Sequence, residues 1–162
     1  MTPPISPALA GAEFHHVGIV VADLDAAAAT YRALGFEELD RFAVAQQGIE
    51  AVVFGLGAGF IELISPTDGE GAIAKFMAKR GEGMHHAAYR VDDIDATLAA
   101  LAKQGIELID TAGRPGGHGW RVGFLHPRAC AGVLTELVEV IEEVEVVGAR
   151  TGDGHGGAAD QC

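Results

Sequence analysis

The sequence predicts an α+β fold in which two tandem βαβββ modules form a curved mixed sheet around a metal-binding cleft. The first observation is an internal repeat, because residues 14–39 align with residues 84–109 without a gap. The second is that each copy opens with a strand pattern and continues with a helix and three further strand patterns. The third is that one histidine and one glutamate recur at comparable places in the two copies. Duplication is expected to place such residues around a shared cleft.

The repeat matches in register at the residues that shape the two modules. The matching pairs are His15 and His85, His16 and His86, Val21 and Val91, Asp23 and Asp93, Asp25 and Asp95, and Gly35 and Gly105. Asp23 and Asp93 precede Ala-rich helical stretches and are candidate helix N-caps. Gly35 and Gly105 stand where a helix is expected to end in a left-handed residue.

Each module is predicted to contain one helix and four strands. In the first module the helix covers residues 24–34, and the strands cover residues 16–21, 36–42, 49–56 and 60–64. In the second module the helix covers residues 94–104, and the strands cover residues 86–91, 106–110, 120–125 and 133–138. Apolar runs and alternation indicate the strands, and glycine-bearing turns separate them.

The two modules are joined and flanked by three further segments. The predicted boundaries are residues 1–12 for an N-terminal extension, 13–66 for the first module, 67–83 for a linker helix, 84–139 for the second module and 140–162 for the C-terminal segment. Val and Glu alternate over residues 140–147, which predicts an acidic edge strand able to pair with another chain. The Gly-rich end is predicted to be a flexible tail, and its His155 is not expected to be a ligand.

Charge and composition exclude several classes of function. The 162 residues are 49% hydrophobic, enough to bury a core, and carry a formal net charge of −12. No nucleic-acid partner is expected, because such binding needs clustered Lys and Arg and the basic residues here are few and scattered. No apolar run is long enough to span a bilayer, and the N-terminal residues do not resemble a signal peptide, so we expect a cytoplasmic protein without a membrane partner. Cys130 and Cys162 are expected to be free thiols.

Two histidines and two glutamates are the candidate metal ligands. His16 and His86 begin the first strand of each module. Glu62, in FIELI, and Glu136, in LTELV, lie in the middle of the last strand of each module. A carboxylate that faces an apolar layer is costly unless it is paired or binds a cation. The mixed nitrogen and oxygen set suits a divalent ion such as Co, Mn, Ni, Fe or Zn.

Each of these residues also has a structural interpretation. A single histidine at the start of a strand is more often a hydrogen-bonded structural residue, and a single glutamate in a strand usually faces solvent. Neighbouring residues of a strand point to opposite faces, so only one histidine of each doublet is expected to face the cleft. The second of each doublet is favoured, because His16 shares its face with Gly18 and His86 shares its face with Ala88, and these small residues leave room for a cleft.

Several motifs together carry a resemblance to a known family. They are HHVGIVVADLDAA, QGIEAVVF, IELISP, IAKFMAKRGEGMHHAAYRVDDIDA, RPGGHGWRVGFLHP and GVLTELVE, spread over residues 13–139. The pattern resembles the methylmalonyl-CoA epimerases of the vicinal oxygen chelate, or glyoxalase-like, superfamily. The resemblance implies metal ligands at His16, Glu62, His86 and Glu136. It also shows a departure, since Ala51 stands where some epimerases carry a further carboxylate, and Glu50 would face the other way.

The resemblance implies an acyl-CoA substrate whose α-proton is removed and returned through a metal-stabilised enolate. Inversion needs an acid or base on each face of the planar enolate, and Glu62 and Glu136 are the candidate catalytic pair. The candidates for binding the CoA phosphates are Lys79 and Arg114, with Lys75 and Arg80 nearby, although surface lysines and arginines are usually only solvated charges. A homodimer is expected.

Three other functions compete with this interpretation. A lactoylglutathione lyase would use the same histidines and glutamates, but the chain has HPRACAG in place of the DPDG-like turn of those enzymes. An extradiol-type dioxygenase needs two histidines and one carboxylate, so a fourth ligand at Glu62 disfavours it. A metal-free small-molecule binding module would have no reason to carry ligand-type residues at all four positions.

Overall fold

The computed structural model describes residues 8–141, and these residues form the predicted α+β arrangement. The elements of the first module are β1 (Glu13–Val20), α1 (Leu24–Ala33), β2 (Glu38–Val44), β3 (Ile49–Leu56) and β4 (Gly59–Pro66). The connecting helix is α2 (Ala72–Arg80). The elements of the second module are β5 (Gly83–Arg90), α3 (Ile94–Lys103), β6 (Arg114–Pro115), β7 (Arg121–Leu125) and β8 (Thr135–Glu139).

The eight strands form one curved mixed sheet in the order β2-β3-β4-β1-β5-β8-β7-β6. Within each half the first and last strands are parallel, β1 with β4 and β5 with β8. The two first strands, β1 and β5, pair antiparallel at the centre and join the halves. The strand order therefore reads the same outwards from the centre in both directions, as expected for a duplicated unit.

The two main helices begin and end at the residues that the repeat marks. The Asp23 and Asp93 carboxylates each accept a hydrogen bond of 2.9 Å from a backbone N–H of the first turn. Gly35 and Gly105 follow the helices with φ of +98° and +78°, a region that glycine enters without steric cost. The predicted caps are confirmed.

Each helix covers an apolar cluster of its own half. The first cluster contains Val21, Leu24, Ala28, Val52, Phe54, Ile61 and Leu63, and the second contains Val91, Ile94, Leu98, Leu101, Leu125 and Leu137. Leu24 and Ala28 of α1 correspond in the repeat to Ile94 and Leu98 of α3, so the duplication extends to the core. With the two helices packed over these clusters, the other face of the central strands is free to line a cleft.

The prediction of a strand over residues 106–110 is wrong. Within that range Leu108 forms only an isolated bridge to Leu125, and the paired strand is the short β6, Arg114–Pro115. The reason is Asp110, whose carboxylate accepts the backbone N–H of Phe124 at 3.0 Å. A side chain thus takes the place of a backbone acceptor, and the ladder cannot continue along the chain.

The remaining segments complete the described part of the chain. Ala8, Leu9 and Ala12, from the predicted N-terminal extension, pack against the α3 cluster. Cys130 is a free thiol, as expected. No helix within residues 8–141 is both long and apolar enough to cross a membrane. Of the predicted edge strand over residues 140–147, Val140 and Ile141 are described and form no strand, while residues 142–147, the tail with His155 and Cys162 lie outside the described residues.

Candidate metal centre

The four predicted ligands lie on the four central strands of the sheet. They are Glu62 on β4, His16 on β1, His86 on β5 and Glu136 on β8. Gly18 is paired with Glu62 on one side and with His86 on the other. Its repeat equivalent, Ala88, is paired with His16 and with Glu136. Two small residues therefore set the register that brings the four side chains to one place.

The side chains converge at the centre of the cleft. The Nε2 atoms of His16 and His86 are 2.9 Å apart, and the Oε2 atom of Glu136 lies 2.9 Å from Nε2 of His86 and 3.5 Å from Nε2 of His16. The Oε2 atom of Glu62 lies 3.3 Å from Nε2 of His16. His16, His86 and Glu136 are buried, while the Glu62 side chain is 16% exposed. Three donors form a tight buried group, and Glu62 completes it from the cleft side.

Burial and close carboxylates determine the charges of this group. Burial alone would lower the pKa of His16, but hydrogen bonds with Glu136 and Glu62 outweigh it and raise the pKa to about 9. Burial would raise the pKa of Glu136, but hydrogen bonds with His16 and His86 outweigh it and hold the pKa well below its usual range. At neutral pH Glu136 is therefore ionised, and His16 is in its protonated, positively charged form.

These residues suit a divalent metal ion. Two donors that bind one ion at about 2.1 Å and at right angles lie about 3.0 Å apart, and the observed separations run from 2.9 to 3.5 Å. The three buried donors lie within 4.8 Å of one another. Two imidazoles and two carboxylates offer the mixed ligand set of first-row metals. A small cation placed among them would neutralise charges that burial otherwise makes costly.

Strict alternation within the histidine doublets is not observed. In the pairing of β1 with β5, Phe14 is paired with Tyr89 and His16 with Ala88, so His15 is left as a bulge. His85 is skipped in the same way, between the pairs of Gly18 with His86 and Ile19 with Met84. At a bulge, neighbouring side chains no longer have to point to opposite faces of the sheet.

As a result, the two imidazole rings of each doublet lie within hydrogen-bonding distance of each other. The Nδ1 atoms of His15 and His16 are 2.8 Å apart, and those of His85 and His86 are 2.9 Å apart. The second histidine of each doublet is the one directed at the centre, as predicted. The prediction that only one histidine of each doublet faces the cleft is wrong for the second doublet, because His85 lines the cleft together with His86. Burial, and next the adjacent His16 or His86, lowers the pKa of His15 and of His85 to about 4. Both outer rings are therefore neutral at neutral pH.

The cleft has a volume of about 430 Å³, and its walls include residues that are not among the predicted site residues. Phe42 of β2 and Trp120, just before β7, line it from opposite modules, and the backbone of Gly116 and Gly117 forms part of the rim. The indole Nε1 of Trp120 is buried without a hydrogen-bond partner among the described residues. Alternation along β2 gave the signal for Phe42, but nothing in the sequence indicated which face of that strand meets the cleft.

The two candidate phosphate-binding residues lie in different surroundings. Arg114 lines the cleft, where its Nε is 3.3 Å from the Asp110 carboxylate and its guanidinium lies over the Phe124 ring at 5.3 Å. Lys79 is exposed near the end of α2, whereas the cleft is lined by the start of that helix. At 1.5 Å per residue, Lys79 is about 10 Å along the helix from the cleft-lining turn.

The structure places Ala51, which stands where some epimerases carry a carboxylate, and its neighbour Glu50 on opposite faces of β3, as the sequence predicts. Ala51 on β3 is fully buried, and Glu50 beside it is exposed on the other face of the strand. Glu50 is therefore not placed to reach the cleft. The acidic side chains that line the cleft, among the described residues, are Glu62 and Glu136.

Comparison with known proteins relates this geometry to a family. A profile of the Glyoxalase/Bleomycin resistance protein/Dioxygenase superfamily matches residues 15–124. The human mitochondrial methylmalonyl-CoA epimerase is 38% identical over 125 residues, which are 76% of this chain and 71% of that protein. The chain belongs to the methylmalonyl-CoA epimerase family of this superfamily.

Other epimerases support the same assignment. The ethylmalonyl-CoA/methylmalonyl-CoA epimerase of Cereibacter sphaeroides is 40% identical over 131 residues, covering 78% of this chain and 96% of that protein. A solved methylmalonyl-CoA epimerase in complex with methylmalonyl-CoA and NH4+ superposes with a TM-score of 0.75 at 38% identity, covering 79% of this chain and 94% of that one. The resemblance to the epimerases seen in the sequence is confirmed, and the epimerase family is favoured over the lyase, dioxygenase and binding-module alternatives.

Gly18→Ala tests the packing of the epimerase-family site. A Cβ atom at this position would lie 2.1 Å from Cε1 of His86, so the His86 ring must move away from the other donors. We expect affinity for Zn2+ or Co2+, measured by calorimetric titration, to fall about tenfold or more. Gly55→Ala is the matched control, because its Cβ would meet nothing closer than Leu39 at 3.4 Å. Equal metal affinity in the two variants would contradict this placement of His86.

Metal binding should release a proton. A metal binds neutral imidazole, so the proton that His16 holds with a pKa of about 9 must leave. Between pH 6 and 8 the apparent metal affinity is therefore expected to rise with pH, by up to about tenfold per unit. Calorimetric titrations in buffers of different ionisation enthalpy measure both quantities. Affinity that stays constant over this range, without proton release, would show that His16 does not exchange its proton for the ion.

Proposed function

We propose that this chain catalyses the metal-dependent epimerisation of methylmalonyl-CoA, removing and returning the proton on the α-carbon. The observation that carries the proposal is that Glu62 and Glu136 reach one buried group from opposite sides. Their strands, β4 and β8, are separated by the two central strands, about 14 Å of sheet. The human relative is named a methylmalonyl-CoA epimerase and the Cereibacter sphaeroides relative an ethylmalonyl-CoA/methylmalonyl-CoA epimerase, which supports a substrate of this class.

The residues that would hold the ion are His16, Glu62, His86 and Glu136. When bound, a divalent cation acts as a Lewis acid and stabilises the negative charge that develops on the thioester oxygen. The ligand set is compatible with Co, Mn, Ni, Fe or Zn, and the soft thiolate ligands that would narrow this choice are not part of it. We therefore propose a divalent first-row metal as the cofactor.

The two carboxylates divide the acid and base roles. Glu136 is held ionised by the histidines beside it, and an ionised carboxylate is the form that can accept the α-proton. Glu62 comes from the opposite module and is partly exposed, so it can exchange its proton with solvent and return one to the other face. Inversion follows because the two groups lie on either side of a planar intermediate. With Ala51 on β3, no third carboxylate is needed in this scheme.

The cleft offers apolar walls for the reacting thioester and a basic residue for the phosphates of its CoA group. Its walls include apolar side chains such as Phe42 and Trp120, which exclude water from the reacting group. We propose that Arg114, at the cleft, and Lys79, farther along α2, bind the CoA phosphates. We also propose that the protein acts in the cytoplasm.

Glu136→Gln and Glu62→Gln test the catalytic roles. Metal-loaded protein is incubated with one epimer of methylmalonyl-CoA in heavy water, and both inversion and α-deuteration are followed. Each variant should lose inversion by about 100-fold or more, because general acid–base catalysis contributes on this scale. Each variant should still exchange the α-proton of the one epimer that faces its remaining carboxylate. Glu50→Gln, which alters an exposed carboxylate on the other face of β3, is the matched control and should keep full activity.

Metal content is measured for every variant, so that loss of the ion is distinguished from loss of the base. Near-normal inversion in both site variants, with full metal content, would refute the two-carboxylate scheme. A wild-type protein that deuterates no substrate in any metal-loaded form would refute the proposed activity.

We propose a homodimer as the working form. Phe14 on β1 and Met84 on β5 are apolar yet 45% and 66% exposed on the central strands, and contact with a second copy of the chain would remove this apolar surface from water. Light scattering coupled to gel filtration should give twice the 16.7 kDa mass of one chain. A mass of one chain at micromolar concentration would contradict the dimer.

A further inference from the structure

The first histidine of each doublet is hydrogen-bonded to the second. Nδ1 of His15 is 2.8 Å from Nδ1 of His16, and Nδ1 of His85 is 2.9 Å from Nδ1 of His86. Two nitrogens at this distance need one proton between them, so one ring donates and the other accepts. The internal repeat relates the two contacts, which lie on either side of the candidate metal ligands. Four imidazole rings therefore form a continuous row through the site.

The ring that donates the Nδ1 hydrogen follows from which nitrogen of the inner histidine would bind a metal. The Nε2 atoms of His16 and His86 face each other at 2.9 Å, so these are the atoms that would bind the ion. A neutral imidazole that offers Nε2 to a metal carries its proton on Nδ1. The inner ring must then be the donor. The outer rings, His15 and His85, accept through an unprotonated Nδ1 and carry their own hydrogen on Nε2.

Aromatic neighbours hold the outer rings in this orientation. His15 packs edge-to-face against Trp120, with ring centroids 4.7 Å apart, and against Phe60 at 5.4 Å. His85 packs edge-to-face against Phe76 of α2 at 4.9 Å. The bulges place these rings beside their neighbours, and the aromatic contacts limit rotation. The acceptors are thus fixed before any ion arrives.

We propose that His15 and His85 are positioning residues of the metal centre, each accepting the Nδ1–H of the ligand histidine next to it. In this role they select the tautomer that leaves Nε2 free for the ion, and they fix the plane of the ligand ring. The proposal rests on the metal dependence proposed above. Partners of this kind typically account for about 10- to 100-fold in metal affinity.

Paired substitutions separate the hydrogen bond from the bulk of the ring. His15→Leu and His85→Leu keep an apolar side chain but remove the acceptor. His15→Asn and His85→Asn place an amide oxygen close to the position of Nδ1. Calorimetric titration with Zn2+ should show about tenfold or greater loss of affinity in each Leu variant, and recovery of most of that loss in the matching Asn variant. His126→Leu is the control, because His126 accepts the backbone N–H of Arg128 outside the cleft and should not affect affinity.

A spectroscopic measurement on the wild-type protein tests the same point without substitutions. In protein labelled with 15N-histidine and loaded with Zn2+, His16 and His86 should bind the metal through Nε2 and carry hydrogen on Nδ1. His15 and His85 should carry hydrogen on Nε2 alone. This reading decides the question for any variant that does not fold, as judged by circular dichroism.

The possible results lead to different conclusions. A loss smaller than tenfold in the Leu variants, or Asn variants as weak as the Leu variants, would overturn the positioning role. Metal bound through Nδ1 of His16 or His86 would also overturn it. If the wild-type protein binds no Zn2+ or Co2+, the metal dependence proposed above fails, and the positioning role fails with it.

Discussion

The antiparallel pairing of β1 with β5 is the contact on which the rest of the site depends. These strands open the two modules, and their register sets Gly18 against His86 and Ala88 against His16. The parallel partners β4 and β8 then bring Glu62 and Glu136 to the same level of the sheet. A register change of one residue would direct all of these side chains to the other face. The chemistry of the centre is therefore a consequence of how two copies of one unit meet.

This arrangement collects polar groups at a place where they are costly. Two histidines and a carboxylate are buried at the middle of the sheet, and the close approach of their donor atoms is favourable only with a proton or a cation among them. The two apolar clusters beneath α1 and α3, on the opposite face, contribute to the stability needed to hold them. The cleft face adds two smaller buried clusters, whose members Ile64 and Val122 line the cleft beside the charged side chains.

Much of this organisation could be predicted from the sequence, because the repeat constrains it. The offset between the doublets identified both modules, the helix caps and the two converging histidines, and the last strand of each module indicated the two glutamates. The bulges at His15 and His85 were not predicted. The prediction of alternating faces assumes that every residue of a strand is paired, and the residue types at these positions do not indicate a bulge. The strand over residues 106–110 was predicted wrongly, because a carboxylate replaced a backbone acceptor at Asp110. The aromatic wall of Phe42 and Trp120 was not predicted, since it depends on how strand β2 of the first module meets the segment before β7 of the second module.

The most direct test of the central claim is a crystal structure of the cobalt-loaded protein, with anomalous scattering data collected at the cobalt edge. We expect one strong peak for each chain, at bonding distance from Nε2 of His16 and of His86 and from the carboxylates of Glu62 and Glu136. A peak elsewhere, or four side chains that stay bonded to one another while the protein is saturated with cobalt, would contradict a shared metal centre built by the duplication.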